Sequence, residues 1–197
     1  AARFDFGPSA EEYYKSNVTC HSDFLSNLND LRIKHFIHVS SVASIDGQKI
    51  NFNHNLGYDD SYRSTKYLQE KLILDWCRAK DIKNSILYPS AIFTLDPRPD
   101  TNIGKVQKLI KLLPIIPSIK TKKSLTYLKN FSTFIKEIAS NKIPNGKYLT
   151  VERPILSFDE IINKFANRRI FIIKLPFLKN FLLLISWFLY LIGGFGK

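Results

Sequence analysis

Residues 61–71 read SYRSTKYLQEK and hold the pattern Tyr-x-x-x-Lys twice, as Tyr62 with Lys66 and as Tyr67 with Lys71. Residues four apart on a helix share a face. A free phenol, with a pKa of about 10, is too weak a base at neutral pH. An ammonium a few ångströms away favours the phenolate and lowers that pKa. A tyrosine tuned in this way can take a proton from an alcohol while a cofactor takes the hydride. A hydroxyl placed opposite can hold the same substrate oxygen, and Ser40–Ser41 lie about twenty residues upstream. Tyr62, Lys66 and Glu70 form one stripe of such a helix, and Leu68, Leu72 and Trp76 form a core stripe. Tyr67 and Lys71 fall between the two, where exposure is the plain expectation.

The elements that must position these groups follow from local pattern. Residues 10–31 read as a helix capped by Ser9, with Glu11 and Glu12 in its first turn. HFIHVSSVAS (35–44) reads as a buried strand through Phe36, Ile37 and Val39, ending in a hydroxyl-rich turn. Residues 46–60 are loop by composition, and Asp59, Asp60 or Ser61 can cap a helix over 61–80. A second strand runs over 84–93 and is cut at Pro89; 102–113 look helical; 124–128 are short and extended. A helix over 130–140, a strand over 146–151 and a helix over 157–168 with a Ser157–Glu160 capping box complete the order. Strands joined by helical crossovers argue for an α/β fold with a parallel sheet and helices on both faces. Such sheets bind ligands at the carboxyl ends of their strands, where the Ser40–Ser41 turn and Pro89–Ser90 fall.

The chain has 197 residues, enough for a domain with a real core, and a net charge of +12. The lysines are scattered, and no zinc-finger, RNP-like or Gly-rich basic run accompanies them, so anionic small molecules or an acidic membrane face are expected rather than nucleic acid. Cys20 and Cys77 have no pairing pattern and read as reduced thiols in a cytoplasmic setting. The four histidines, His21, His35, His38 and His54, lack metal-ligand spacing, so no metal site is expected. The apolar run 181–194 is shorter than the ~20 residues of a spanning helix. With its basic upstream flank, Trp187 and Tyr190, it reads as a buried or interfacial helix, and peripheral contact with the inner face of a membrane through 175–197 is one expectation.

The order of these pieces resembles the extended short-chain dehydrogenase/reductases, in particular the NAD-dependent epimerase/dehydratases that act on nucleotide sugars. AAR at the start is similar to the end of the family's fourth strand. The stretch YKSNVTCHSDFLSNLNDLRIKHFIHVSSVASIDG resembles its Asn-containing helix, strand and Ser-Ser turn. YRSTKYLQEKL resembles its Tyr-x-x-x-Lys helix, with Glu70 where the family has an acid, and ILYPSAIF its Pro-containing strand. NIGKVQKLIKLLPIIPSIKTKKSLTYLKN resembles the substrate segment of a subgroup from surface-polysaccharide pathways.

The resemblance implies a Rossmann-like parallel sheet, lacking the first βαβ units, with a small substrate-binding subdomain. It implies residues 1–100 as the C-terminal part of the dinucleotide-binding domain, 101–168 as the substrate region with a returning strand, and 169–197 as an apolar C-terminal helix. It implies Tyr62 as general acid/base, Lys66 as the group that lowers its pKa and binds the nicotinamide ribose, and Ser41, before Ser40, as the holder of the substrate hydroxyl. Ala1 and Ala2 would line the cofactor groove, Asn17 would support the active-site strands, and Pro89, Ser90 and Ile92 would pass near the nicotinamide. Asn102 and Lys123 would reach the nucleotide diphosphate. The implied cofactor is NAD, with NADP as the alternative; the implied partners are a UDP-sugar or related nucleotide sugar and a second subunit.

Four positions depart from the family pattern. The interval from Ser41 to Gly47 is one residue longer, Tyr88 stands where Arg precedes Pro, Phe93–Thr94 replaces Tyr-Gly, and Lys123 replaces an Arg. The Gly-rich turn of the first strand is absent among the 8 glycines, and the chain holds no Met. We therefore read it as the C-terminal part of something longer, inactive alone. The expected activity is UDP-sugar 4-epimerisation of surface-polysaccharide biosynthesis. A 4-keto-sugar-nucleotide reductase or dehydratase, and a non-catalytic binding protein of the same fold, are the alternatives.

Overall fold

A computed structural model of the chain describes residues 9–94, 96–97, 104, 107–108, 115–117, 122–165 and 171–173. The element order is α1 (Ala10–Tyr14), a π-helical segment (Lys15–Thr19), α2 (Cys20–Asn27), β1 (His35–Val39), α3 (Val42–Gly47), α4 (Tyr58–Ala79), β2 (Lys83–Pro89) and β3 (Ala91–Phe93). It continues with β4 (Ile115–Pro117), β5 (Lys122–Lys123), β6 (Leu125–Tyr127), α5 (Leu128–Ala139), β7 (Lys147–Thr150), β8 (Leu156–Ser157), α6 (Phe158–Phe165) and β9 (Phe171–Ile173). The chain divides into two compact units, Ala1–Ile92 with Leu125–Glu152, and Phe93–Ser124 with Arg153–Lys197.

The first unit is built on a parallel sheet of order β1–β2–β7. Parallel neighbours need long crossovers, and α4 and α5 supply them. Successive strand residues point to opposite faces, so Phe36 and Ile37 serve different layers. Phe36 packs with Leu25, Ile73, Cys77, Leu72 and Trp76, beneath α2 and α4. Ile37 packs with Leu87, Phe131, Ile138 and Tyr148, beneath α5. Helices therefore cover both faces, as the alternation of elements predicts. The chain is an α/β protein with a parallel, Rossmann-like sheet.

Several local expectations change. The helix predicted over 10–31 is interrupted by the π segment and ends at Asn27. In β1 the buried residue is His38, while Val39 is 39% exposed, because only one side of the strand's end lies under the helical layer. Residues 42–47, read partly as turn and loop, form α3, capped by Ser41. The long helix starts at Tyr58 with Gly57 as N-cap, so Asp59 and Asp60 sit in its first turn, where they complement the helix dipole instead of capping it.

In the second unit β4 pairs with β9 in parallel and β5 with β8 antiparallel. The Ser157–Glu160 capping box opens α6, with Ser157 N–H donating to Glu160 at 2.7 Å. Residues 171–173, expected within the apolar C-terminal helix, form a strand, in keeping with the β preference of Phe-Ile-Ile. Most of the predicted helix over 102–113 and the apolar run 181–194 lie outside the described residues. Among the described residues, no helix is long and apolar enough to cross a membrane.

Gly47 sets the distance between α3 and α4. A Cβ placed there would lie 2.0 Å from the Arg63 carbonyl oxygen, a backbone atom that a side-chain rotation cannot move aside. Gly47→Ala should therefore cost about 1–3 kcal/mol by forcing the two helices apart, measured as a fall in the urea midpoint with unchanged slope.

Candidate active site

The carboxyl end of β1 hands the chain directly to two serines with different tasks. Ser40 is buried, and its hydroxyl faces Ser44 at 3.1 Å and Glu70 Oε2 at 3.4 Å. Ser41 caps α3, where its oxygen accepts from Ala43 N–H at 3.2 Å. The same hydroxyl lies near enough to Tyr62 to favour the phenolate. Geometry thus separates two serines that their spacing in the sequence does not.

Tyr62 is half-buried in the first turns of α4 and packs against the buried Tyr13 ring at 6.1 Å. Burial raises its pKa, and the Ser41 hydroxyl offsets part of that rise. Lys66 is buried, and its pKa is lowered to about 8, first by desolvation, with the Glu70 charge acting in the opposite direction. Its Nζ donates to Gln69 Oε1 at 2.5 Å. The Tyr67–Lys71 pair has no comparable setting, with Lys71 exposed and Tyr67 half-buried.

Asn17 lies beside the helix that carries Lys66. It is fully buried in the π segment and donates to Thr65 Oγ1 at 3.2 Å, so it braces the helix that carries Lys66. Pro89 is buried at the end of β2; Ser90 shares a 2.9 Å hydrogen bond with Thr126; Ile92 is 40% exposed. Lys123 lies on β5 in the second unit. Ala1, Ala2 and Asn102 lie outside the described residues.

The departure at Tyr88 acquires a physical account. Glu70 is buried on α4, and its Oε1 accepts from the Tyr88 hydroxyl at 2.6 Å and from Lys147 Nζ at 3.1 Å. Its Oε2 faces the Ser44 hydroxyl at 3.1 Å. The cation that the family pattern places at position 88 is delivered here from β7, and the tyrosine supplies the neutral hydrogen bond. Desolvation, then Glu70, pushes the Tyr88 pKa well up, so it stays a donor.

Neither Gln69 nor His38 stands out by pattern in the sequence. Gln69 joins Lys66 to His21, whose Nε2 lies 2.5 Å away. His38 is buried with no hydrogen-bond partner at Nε2, and desolvation, then the nearby Lys66 charge, lowers its pKa to about 3. Among the described residues, no three His, Cys, Asp or Glu side chains are grouped to hold a metal.

A family model described as male sterility protein, an NAD-binding family, matches residues 1–132. The chain belongs to this NAD-binding family. It is an extended short-chain dehydrogenase/reductase, a family of nicotinamide-dependent enzymes. No curated protein matches the sequence. Among solved structures, UDP-glucuronic acid 4-epimerase from Bacillus cereus in complex with NAD is similar at 17% identity and a TM-score of 0.67, over 89% of this chain and 60% of that one. The terminal R domain of the myxalamid PKS-NRPS pathway is similar at 19% identity and a TM-score of 0.69, over 94% of this chain and 50% of that one. RMD from Pseudomonas aeruginosa, complexed with NADPH, is similar at 13% identity and a TM-score of 0.65, over 84% and 63%. The chain thus spans 60% or less of the length of the first two.

The residues present fit the nicotinamide-ribose end of such a cofactor. The buried Lys66 ammonium carries three N–H donors and gives one to Gln69 Oε1, which suits a ligand bearing vicinal hydroxyls. The Gly-rich turn that holds the pyrophosphate in this family is not in the sequence.

Two predictions follow from the charges. Glu70→Gln should cost about 2 kcal/mol by leaving buried donors mismatched, whereas Lys147→Ala, at the exposed end of the pair, should cost less than about 1 kcal/mol; urea titration distinguishes them. His38 has a folded pKa below its unfolded value of 6.5, so the unfolded chain binds more protons between the two, and stability falls as pH drops from about 6.5 towards 3. At pH 5 the loss from this group is about 2 kcal/mol relative to pH 7, and His38→Gln should flatten that part of the pH–stability curve.

Proposed function

We propose that this chain carries the catalytic edge of an NAD-dependent nucleotide-sugar epimerase of the UDP-sugar 4-epimerase type. The observation that carries the reading is the nearness of the Ser41 hydroxyl to Tyr62, with Lys66 buried one helical turn further on. Ser41 and Tyr62 converge on one substrate hydroxyl. Tyr62 takes its proton as the adjacent carbon loses hydride, and returns the proton when hydride comes back to the other face. A nicotinamide held there would supply the acceptor and donor of that hydride. Lys66 holds the ribose hydroxyls and, as a cation, supports negative charge that develops on the phenol. Asn17 keeps α4 in register beneath these groups through Thr65.

The nucleotide-sugar assignment draws on the Bacillus cereus neighbour, whose structures include one with UDP-glucuronic acid and NAD. Asn102 and Lys123 are the diphosphate contacts of this reading. Lys123 would act as a point charge where Arg would grip with two donors. On its own the chain is expected to bind the cofactor weakly and to turn over little, since the Gly-rich turn is not in its sequence. Surface-polysaccharide biosynthesis, a cytoplasmic site at the inner membrane face through 175–197, and a homodimer complete the reading.

A one-way NAD(P)H-dependent reductase is the second reading, favoured by the likeness to the NADPH-bound Pseudomonas aeruginosa protein. With the protein containing this chain, NAD and a panel of UDP-sugars, conversion of the C4 epimers is followed by NMR. Tyr62→Phe should lower turnover by about 100-fold or more and Ser41→Ala by about 10-fold or more. Stoichiometric consumption of NAD(P)H would select the reductase. Failure to retain any nicotinamide and to convert any nucleotide sugar overturns the enzymatic reading.

A further inference from the structure

A polar chain runs from Lys66 back to α2. Lys66 Nζ donates to Gln69 Oε1 at 2.5 Å, and Gln69 Nε2 lies 2.5 Å from His21 Nε2. Lys66 and Gln69 are buried, at 2% and 1% exposure, and His21 is half-buried on α2. Chemistry fixes the direction of every bond in this chain. An ammonium only donates, so the amide turns its oxygen to Lys66. The amide nitrogen also only donates, so His21 Nε2 is the acceptor, and the imidazole is neutral with its proton on Nδ1. The Nδ1 of the same ring is buried with no hydrogen-bond partner.

We propose that Gln69, itself oriented by His21, is a positioning residue that anchors the Lys66 ammonium without cancelling its charge. The proposal rests on the reading of Lys66 as the partner of Tyr62. A carboxamide oxygen offers a hydrogen bond but no formal counter-charge. The field of the ammonium is therefore left for the phenol and for ligand hydroxyls. Glu70, one turn along, does carry a charge, but its oxygens already receive Tyr88, Lys147 and Ser44. Burial works against a cation here, which makes the acceptor at position 69 consequential for how much of Lys66 is charged at neutral pH.

The test is amine acylation of the full chain at pH 7, read at Lys66 by mass spectrometry against the exposed Lys71, with circular dichroism as the control for folding. Gln69→Leu should raise Lys66 labelling about threefold or more, since a lost acceptor favours the free amine. Gln69→Glu should lower it below wild type, because the added carboxylate favours the ammonium. His21→Ala should move labelling in the Leu direction, and His21→Gln, which keeps an acceptor, should return it to near wild type. Equal labelling in wild type, Gln69→Leu and Gln69→Glu overturns the proposal. So does a rise in both variants, which would mean local loosening alone. The readout involves neither cofactor nor substrate, so full turnover in Tyr62→Phe would sink the catalytic reading and leave the anchoring result standing.

Discussion

A single buried carboxylate holds this unit's parts together. Glu70 projects from the middle of α4 and receives Tyr88 from β2, Lys147 from β7, and Ser44 from α3, with Ser40 from the end of β1 close by. A charge taken out of water is costly unless it is paired and fully hydrogen-bonded. Glu70 meets that demand only if all three strands of the sheet and α3 sit in one relative arrangement. The carboxylate therefore acts less as a source of stability than as a constraint on register, selecting the arrangement in which Ser41 faces Tyr62.

The constraint matters because the sheet leaves freedom that apolar packing does not remove. Leucine and isoleucine side chains under α4 and α5 tolerate small slides, since their contacts are non-directional. Hydrogen bonds to a carboxylate do not tolerate them. Gly47 adds a steric term of the opposite kind, allowing α3 to touch the α4 backbone. Between the close approach and the hydrogen-bond hub, the turn carrying Ser41 has little room to shift against the helix carrying Tyr62 and Lys66.

Much of this was legible from residue pattern. The alternation of strands and crossovers gave the parallel sheet, and spacing placed Tyr62 and Lys66 on one helix with the Ser40–Ser41 pair at the end of a strand upstream. Short-range rules also held at the Ser9 and Ser157 capping boxes. What escaped was long-range. No local pattern tells that Gln69 faces His21 across 48 positions, or that Lys147 meets Glu70 across 77. α3 was hidden because a six-residue helix leaves too short a period to read, and His38 because its burial depends on which side of β1 lies under helices. Tyr88 looked like a loss of charge until β7 supplied the cation.

The π-helical turn over Lys15–Thr19 has a geometric consequence for the face that meets α4. Tyr13, Asn17, His21 and Leu25 recur every four residues. On a regular helix that interval over-rotates by about 40° at each step, so the set would spiral around the axis by about 120° from first to last. A wider turn takes up part of this excess. Four side chains can then look the same way: an aromatic ring on the phenol, an amide on Thr65, an imidazole on Gln69 and a leucine in the core. One surplus residue in a single turn aligns the whole edge.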